Sequence, residues 1–169
     1  HINSLGCPAC RPDFKKALQA YLADKQAALC SDCRRRMDKN PLRVLDCKVP
    51  GCREAMADAP SILDYLCDDC RSHFSTVTDT LGRLGVPFEI DKQLVRGLDY
   101  YTRTTFEIQT GALGAQNAIA GGGRYDELCG LMSDGAAEMP ACGFAMGDYV
   151  IRNLIEETAH AKMQMEAWL

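Results

Sequence analysis

"LVRGLDYYTRTTFEI", residues 94–108, sets a guanidinium (Arg96), a carboxylate (Asp99) and two phenols (Tyr100, Tyr101) directly ahead of a run of Thr, Phe and Ile. The β-branched and aromatic content of "TRTTFEIQT" (102–110) predicts a strand. Burying charged and phenolic groups together costs free energy unless something answers them, so the stretch predicts a ligand seated against that strand. Working outward, "GALGAQNAIAGGG" (111–123) predicts a turn and then a strand ending in glycines, and "RYDELCGLM" (124–132) a helix. "ACGFAMG" (141–147) reads as a small-residue strand, and "DYVIRNLIEETAHAKMQ" (148–164) as a helix with Val150, Ile151, Leu154 and Ile155 on one face.

Upstream the pattern changes. "VPFEI" (86–90) predicts a short extended piece, but residues 7–84 read as helices. "RPDFKKALQAYLADKQAAL" (11–29) carries Phe14, Ala17, Leu18, Tyr21 and Leu22 at helical spacing, "SDCRRRMDKN" (31–40) is stopped by Asn40-Pro41, and "DDCRSHFSTVTDTLGRLG" (68–85) closes on Gly85. Helices grouped apart from strands joined by hairpin-length turns predict an α+β fold. Two units follow: a helical, cysteine-rich segment over 7–84, and residues 1–6 with 85–169 around the sheet.

No apolar run approaches the ~18 residues of a membrane span. No secretory signal is visible, which with reduced cysteines points to a cytoplasmic protein. A net charge of −4 excludes a global basic field, so any contact with nucleic acid must be local. The local candidates are Arg34, Arg35, Arg36, Lys39 and Arg43, with Lys48 and Arg53 close behind.

Eight of the 10 cysteines fall in close pairs: Cys7/Cys10, Cys30/Cys33, Cys47/Cys52 and Cys67/Cys70. Each pair can give two thiolates to a tetrahedral zinc, which predicts two closed, structural sites of four sulfurs each. The helix over 11–29 would be roughly 25 Å long at ~1.5 Å per residue, too long for Cys7/Cys10 and Cys30/Cys33 to share a metal. If the helix after Cys70 returns along the first one, Cys7/Cys10 join Cys47/Cys52, and Cys30/Cys33 join Cys67/Cys70. Cys129 and Cys142, among apolar neighbours, read as buried packing residues, and His73 as a helix-surface residue rather than a ligand.

Two further stretches carry chemistry. "AGGGRYDEL" (120–128) lets a backbone approach a ligand or neighbouring strand closely, and "GFAMGD" (143–148) ends a strand in glycine at a helix start, where N–H groups favour an anion. Together "RGLDYYT", "GGGRYD" and "GFAMG" resemble, in order, the two histidine-specific signatures and the start of motif 3 of the histidyl-tRNA synthetases, a class II aminoacyl-tRNA synthetase family. "INSLG", "NPLRVLD" and "DAPSILDYL" extend the resemblance through the family's insertion domain.

The resemblance implies a partial class II antiparallel sheet and part of a ligase that activates histidine with ATP and magnesium, then charges tRNA(His), acting as a homodimer. It implies Arg96 as the catalytic arginine on the α-phosphate of ATP, and Tyr100, Tyr101, Tyr125, Gly122 and Gly123, with Gly121, around the histidine. It further implies Gly143 and Gly147 near ATP, and Arg34, Arg35, Arg36, Lys39 and Arg43 toward the tRNA. Tyr149 and Val150 stand where the family carries a Glu-Arg pair, and motifs 1 and 2 are not in this sequence, so the segment alone is expected to be inactive. Two other readings are a synthetase-like regulatory subunit of an ATP phosphoribosyltransferase and a zinc-stapled tRNA-binding module.

Overall fold

The structure is a computed structural model that describes residues 1–96, 100–111 and 118–157. Four strands, β1 (Ile2–Ser4), β2 (Thr102–Gln109), β3 (Ala118–Arg124) and β4 (Cys142–Met146), form one sheet in that order, every neighbouring pair antiparallel. The sheet is built by glycine: Gly121, Gly122 and Gly123 of β3 lie opposite Ala145, Phe144 and Gly143 of β4. A Cβ on Gly122 would meet the Gly143 carbonyl oxygen at 2.2 Å, so only glycine lets the two strands pair this closely.

β1 and β2 are direct sheet partners, and everything between them in sequence leaves and re-enters the sheet. The excursion starts with α1 (Arg11–Lys25), entered through Pro12 in its first turn, where a missing N–H costs nothing. Phe14, Leu18 and Leu22 form the buried stripe of α1, each at most 1% exposed. Around it pack α2 (Ser31–Lys39), α3 (Leu42–Leu45) and α4 (Pro50–Ala55), through Met37, Val44, Leu45 and Met56, with Ile62 and Leu66 following. Each such side chain contributes about 1.5–3 kcal/mol by leaving water. Then α5 (Asp68–Arg83), with Asp68 and Asp69 in its first turn, packs against β2 and stops at Gly85, whose φ of +67° suits glycine.

Several expectations change. The α+β class holds, but residues 86–90 make no ladder strand; only Ile90 bridges Ile2, in parallel, flanked by hydrogen bonds from Ile2 N to Glu89 O and from Asp91 N to Ile2 O. Residues 2–4, not expected as a strand, become β1 because Ile2 and Asn3 are buried between Ile90 and β2. In "RYDELCGLM" only α6 (Leu128–Met132) is helical, since Arg124 completes β3 opposite Thr102. The last helix, α7, spans Asp148–Glu157; the rest of that stretch, and the turn at 112–117, lie outside the described residues. Cys142 is exposed and Cys129 half-buried, correcting their reading as core residues: β4 is the edge of this sheet and α6 lies outside the main core. Ile108, Phe144 and Met146 leave apolar surface exposed on β2 and β4. No helix among the described residues is long and apolar enough to cross a membrane.

Candidate active site and metal centres

Arg96 reaches back onto the sheet. Its Nη2 donates to the Phe106 carbonyl at 2.6 Å and its Nη1 pairs with Glu107 at 3.3 Å. The guanidinium lies over Gly121, where an added Cβ would come within 1.8 Å of Nη2. Tyr101 lies over Gly123, whose added Cβ would meet its Cδ1 at 3.1 Å. Tyr125 sets its hydroxyl over Gly143, with only 2.2 Å to spare for a Cβ. Residues 121, 123 and 125 share a parity along one strand direction, so these three side chains gather on one face above a floor of Gly121, Gly123 and Gly143. Gly122 faces the other side, toward Phe144, which stacks near Phe106.

The phenols touch. Tyr101 and Tyr125 meet edge to face at 5.8 Å, Tyr100 and Tyr125 at 5.7 Å, and Tyr100 lies 5.0 Å from Tyr101. Burial raises the Tyr101 hydroxyl above the ordinary phenol range, helped by Tyr100 and Tyr125 and opposed by the Arg96 charge, so it stays a neutral donor. Arg96 and Tyr101 also line one cavity of about 160 Å³. A bulge between Thr102 and Thr105, with Arg103 at φ +50°, bends β2 where Tyr101 enters it. Asp99 lies outside the described residues; among those described, the acid that holds Arg96 is Glu107.

Asn3 is a residue the sequence reading missed. It is fully buried, and its Nδ2 donates to the carbonyls of Lys92 and Leu94, anchoring the segment that delivers Arg96. The signal was a polar residue inside "INSLG", too short a stretch for any periodicity to single it out. His73 is not a surface residue either: its Nε2 accepts from Arg124 at 3.2 Å, and Arg124 also pairs with Asp126. Burial, then the charges of Arg124 and Arg103, lower its pKa and keep it neutral.

At the start of α7, where the sequence suggested an anion seat, two of the N–H groups are engaged within the protein. The Gly147 N–H donates to Ile119 O, and the Asp148 carboxylate accepts from the Tyr149 N–H. Arg152, exposed, pairs with Glu156 along the helix.

The cysteines form two tetrads, and their composition corrects the expected pairing. Cys7, Cys10, Cys67 and Cys70 converge at one end of α1, and Cys30, Cys33, Cys47 and Cys52 at the other, each set with its sulfurs within 4.8 Å of one another. The expectation failed because α5 does not retrace α1. It starts beside the exit of β1 and packs along the sheet, and the extended residues 86–90 come back alongside β1.

In each tetrad one C-x-x-C pair straddles a helix start, Cys30/Cys33 on α2 and Cys67/Cys70 on α5, where the helix dipole favours thiolate. Backbone N–H groups reach sulfur, from Cys30 to Cys52 at 3.1 Å and from Cys67 to Cys10 at 3.2 Å. The Cys33 and Cys70 thiols are pushed up by burial. Cys30 is drawn down to about 7 by the Cys33 N–H, and Cys7 also to about 7, where N–H groups of Cys10 and Ala9 outweigh burial. Sulfur separations of 3.5, 3.9 and 4.0 Å bracket the ~3.8 Å edge of a tetrahedron with ~2.3 Å metal–sulfur bonds. The donor sets therefore fit a four-coordinate soft divalent metal, and His73 belongs to neither.

A family model described as histidyl-tRNA synthetase matches residues 8–148. This chain belongs to the histidyl-tRNA synthetase family. It is 67% identical over 147 residues to a histidine–tRNA ligase of Desulforapulum autotrophicum, and 64% identical over 147 residues to one of Desulfatibacillum aliphaticivorans, covering 87% of this chain in both cases. It spans about a third of those relatives, 34% and 35% of their lengths. A crystal structure of apo S. aureus histidyl-tRNA synthetase superposes with a TM-score of 0.66 at 33% identity, over 92% of this chain and 37% of that one. The histidyl-tRNA synthetase resemblance carried by "RGLDYYT", "GGGRYD" and "GFAMG" is thus met over residues 8–148, and the mixed α/antiparallel-β fold agrees with it.

Proposed function

We propose that this chain is the part of a histidine–tRNA ligase that carries one wall of the histidine and ATP site together with the family's helical insertion. The observation behind this is the gathering of Arg96, Tyr101 and Tyr125 on one face above a glycine floor. Arg96 is held by a carbonyl and a carboxylate, which fixes its guanidinium over the glycine floor, a placement suited to the α-phosphate of ATP. A planar guanidinium there stabilises charge that builds on phosphorus as the histidine carboxylate attacks. The phenols Tyr101 and Tyr125, with Tyr100 beside them, suit an imidazole, and Gly121 and Gly123 admit the substrate close to the backbone.

Residues 7–84 act in this reading as the insertion, and 1–6 with 85–169 as the C-terminal part of the catalytic domain; direct pairing of β1 with β2 supports that division. The two tetrads hold structural zinc, which when bound supplies only cross-linking: four sulfurs leave no open position. The complete cytoplasmic protein works as a homodimer on histidine, magnesium-ATP and tRNA(His), and the exposed apolar side chains of β2 and β4 offer surface for the remaining protein to cover. Histidine-dependent exchange of pyrophosphate into ATP by the complete protein tests the reading. Exchange with histidine alone among the amino acids is expected; exchange that ignores histidine refutes it.

A further inference from the structure

Both edge-to-face phenols of the site are tied to the first cysteine tetrad. Arg11 directly follows Cys10, and its guanidinium donates to Leu5 O at 3.1 Å and to Tyr101 O. Gly6 directly precedes Cys7. Its carbonyl accepts from the Arg103 N–H at 2.8 Å, and Leu5 N donates to Arg103 O at 2.6 Å, so the backbone entering the tetrad is laced to the bulge that follows Tyr101. A Cβ on Gly6, at φ +61°, would come within 2.8 Å of Cys10 Cβ, so this turn holds Cys10 closely. The second line runs through α5. His73 lies one helical turn beyond Cys70, and its Nε2 accepts from Arg124 at 3.2 Å. Arg124 adjoins Tyr125 and pairs with Asp126, whose N–H donates to Thr102 Oγ1 at 3.1 Å, beside Tyr101. The other tetrad stands off. Cys30, Cys33, Cys47 and Cys52 sit at the far end of the 15-residue α1, about 22 Å away at ~1.5 Å per residue. There Cys47 and Glu107 line a cavity of about 450 Å³, open space where the first tetrad has hydrogen bonds.

We propose that Arg11 and His73 are positioning residues that couple the first tetrad to the phenols of the site. With Cys7, Cys10, Cys67 and Cys70 gathered on a metal, Tyr101 and Tyr125 hold their edge-to-face contact; with the tetrad open, both lose their outer support. Binding groups must be placed to within about an ångström, so the state of this tetrad sets the affinity for histidine, whereas the other tetrad steadies the helices alone. That the pocket takes histidine rests on the ligase reading; the coupling of tetrad to phenols does not.

Cys67 and Cys30 are matched probes. Each is half-buried and is the N-cap of its helix, α5 or α2, a position serine fills well, so Cys67→Ser and Cys30→Ser each open one tetrad and keep the helix start. In the complete protein labelled with fluorotyrosine, native mass spectrometry should count one zinc fewer in either variant. Fluorine NMR should show the Tyr101 and Tyr125 resonances shifted in Cys67→Ser and in place in Cys30→Ser. Histidine affinity should fall about tenfold in the first and stay within about twofold in the second. Arg11→Met and His73→Leu, with both zincs retained, should shift the Tyr101 and Tyr125 resonances respectively. Each should weaken histidine binding by about three- to tenfold and leave ATP affinity within about twofold. Arg11→Lys and His73→Gln, which keep a donor and an acceptor, should restore most of the loss. Added to Cys67→Ser, Arg11→Met should cost little more, because the link is already slack. Equal resonance shifts in the two serine variants overturn the proposal, as do unmoved resonances in Arg11→Met and His73→Leu, or full additivity of Arg11→Met with Cys67→Ser. If the resonances move as expected and the parent binds no histidine, the ligase reading fails and the coupling stands.

Discussion

Gly121→Ala separates the site from the scaffold. An added Cβ would sit 1.8 Å from Arg96 Nη2, and ordinary contact begins near 3.4 Å, so the guanidinium must retreat by about 1.6 Å (3.4 minus 1.8). That retreat breaks its 2.6 Å bond to Phe106 O and strains the 3.3 Å pair with Glu107. Arg96 is 23% exposed, so water takes up part of the loss, and the stability cost should stay near 1–2 kcal/mol. Catalysis is less forgiving, since about 1 Å of misplacement of a group contacting the reacting phosphate costs on the order of a hundredfold, or roughly 2.7 kcal/mol of barrier. Gly122→Ala is the counterpart. Its Cβ would meet backbone, Gly143 O at 2.2 Å and Phe144 Cα at 2.7 Å, which cannot swing aside, so β3 and β4 must part. Histidine-dependent pyrophosphate exchange and thermal unfolding, run on the same preparations of the complete protein, should show Gly121→Ala mainly inactive and Gly122→Ala mainly unstable. Exchange within about threefold of the parent in Gly121→Ala would refute the placement of Arg96.

Native mass spectrometry should find two zinc ions per chain; Cys33→Ala should remove one, and Cys7→Ala combined with Cys67→Ala should also remove only one, whereas loss of both by that pair contradicts the tetrads. Chelation should lower the unfolding temperature by releasing both clamps, and an unchanged temperature would argue against structural metal. Asn3→Ala strips the Lys92 and Leu94 carbonyls of their donor and should cost about 1–3 kcal/mol in urea unfolding; a cost under about 0.5 kcal/mol would remove Asn3 as the anchor of the Arg96 segment. His73 titrates below its ordinary value of 6.5, so the unfolded chain binds its proton more tightly, and stability present above that pH is lost as pH falls through the depressed value. His73→Gln should flatten this acid-side slope, and an unchanged slope would deny His73 a part in it.

The helical stripes were legible because their signal is local: Phe14, Leu18 and Leu22 repeat along one chain segment and are the residues buried. The glycine floor was legible as close packing, but not which glycine faces which side, because parity on β3 acquires meaning only once Phe144 of β4 lies opposite Gly122. The cysteine sets were legible as eight ligands and not as two groups, because grouping depends on where α5 runs, a tertiary fact fixed by its packing on β2 and by residues 86–90. Arg11 and Asn3 carried no motif; each acquires its role from a neighbour far away in sequence, Tyr101 and Leu94. Cys142 misled because apolar neighbours in an edge strand look like those of a core strand.

The decisive measurement is single-turnover formation of histidyl-adenylate by the complete protein carrying Arg96→Ala, set beside Arg152→Ala, a charge loss on the exposed face of α7. Loss of the guanidinium over the glycine floor should slow that step by about a hundredfold or more with the fold intact, while Arg152→Ala stays within about twofold. Equal rates for the two variants would contradict the assignment of this face to the chemistry.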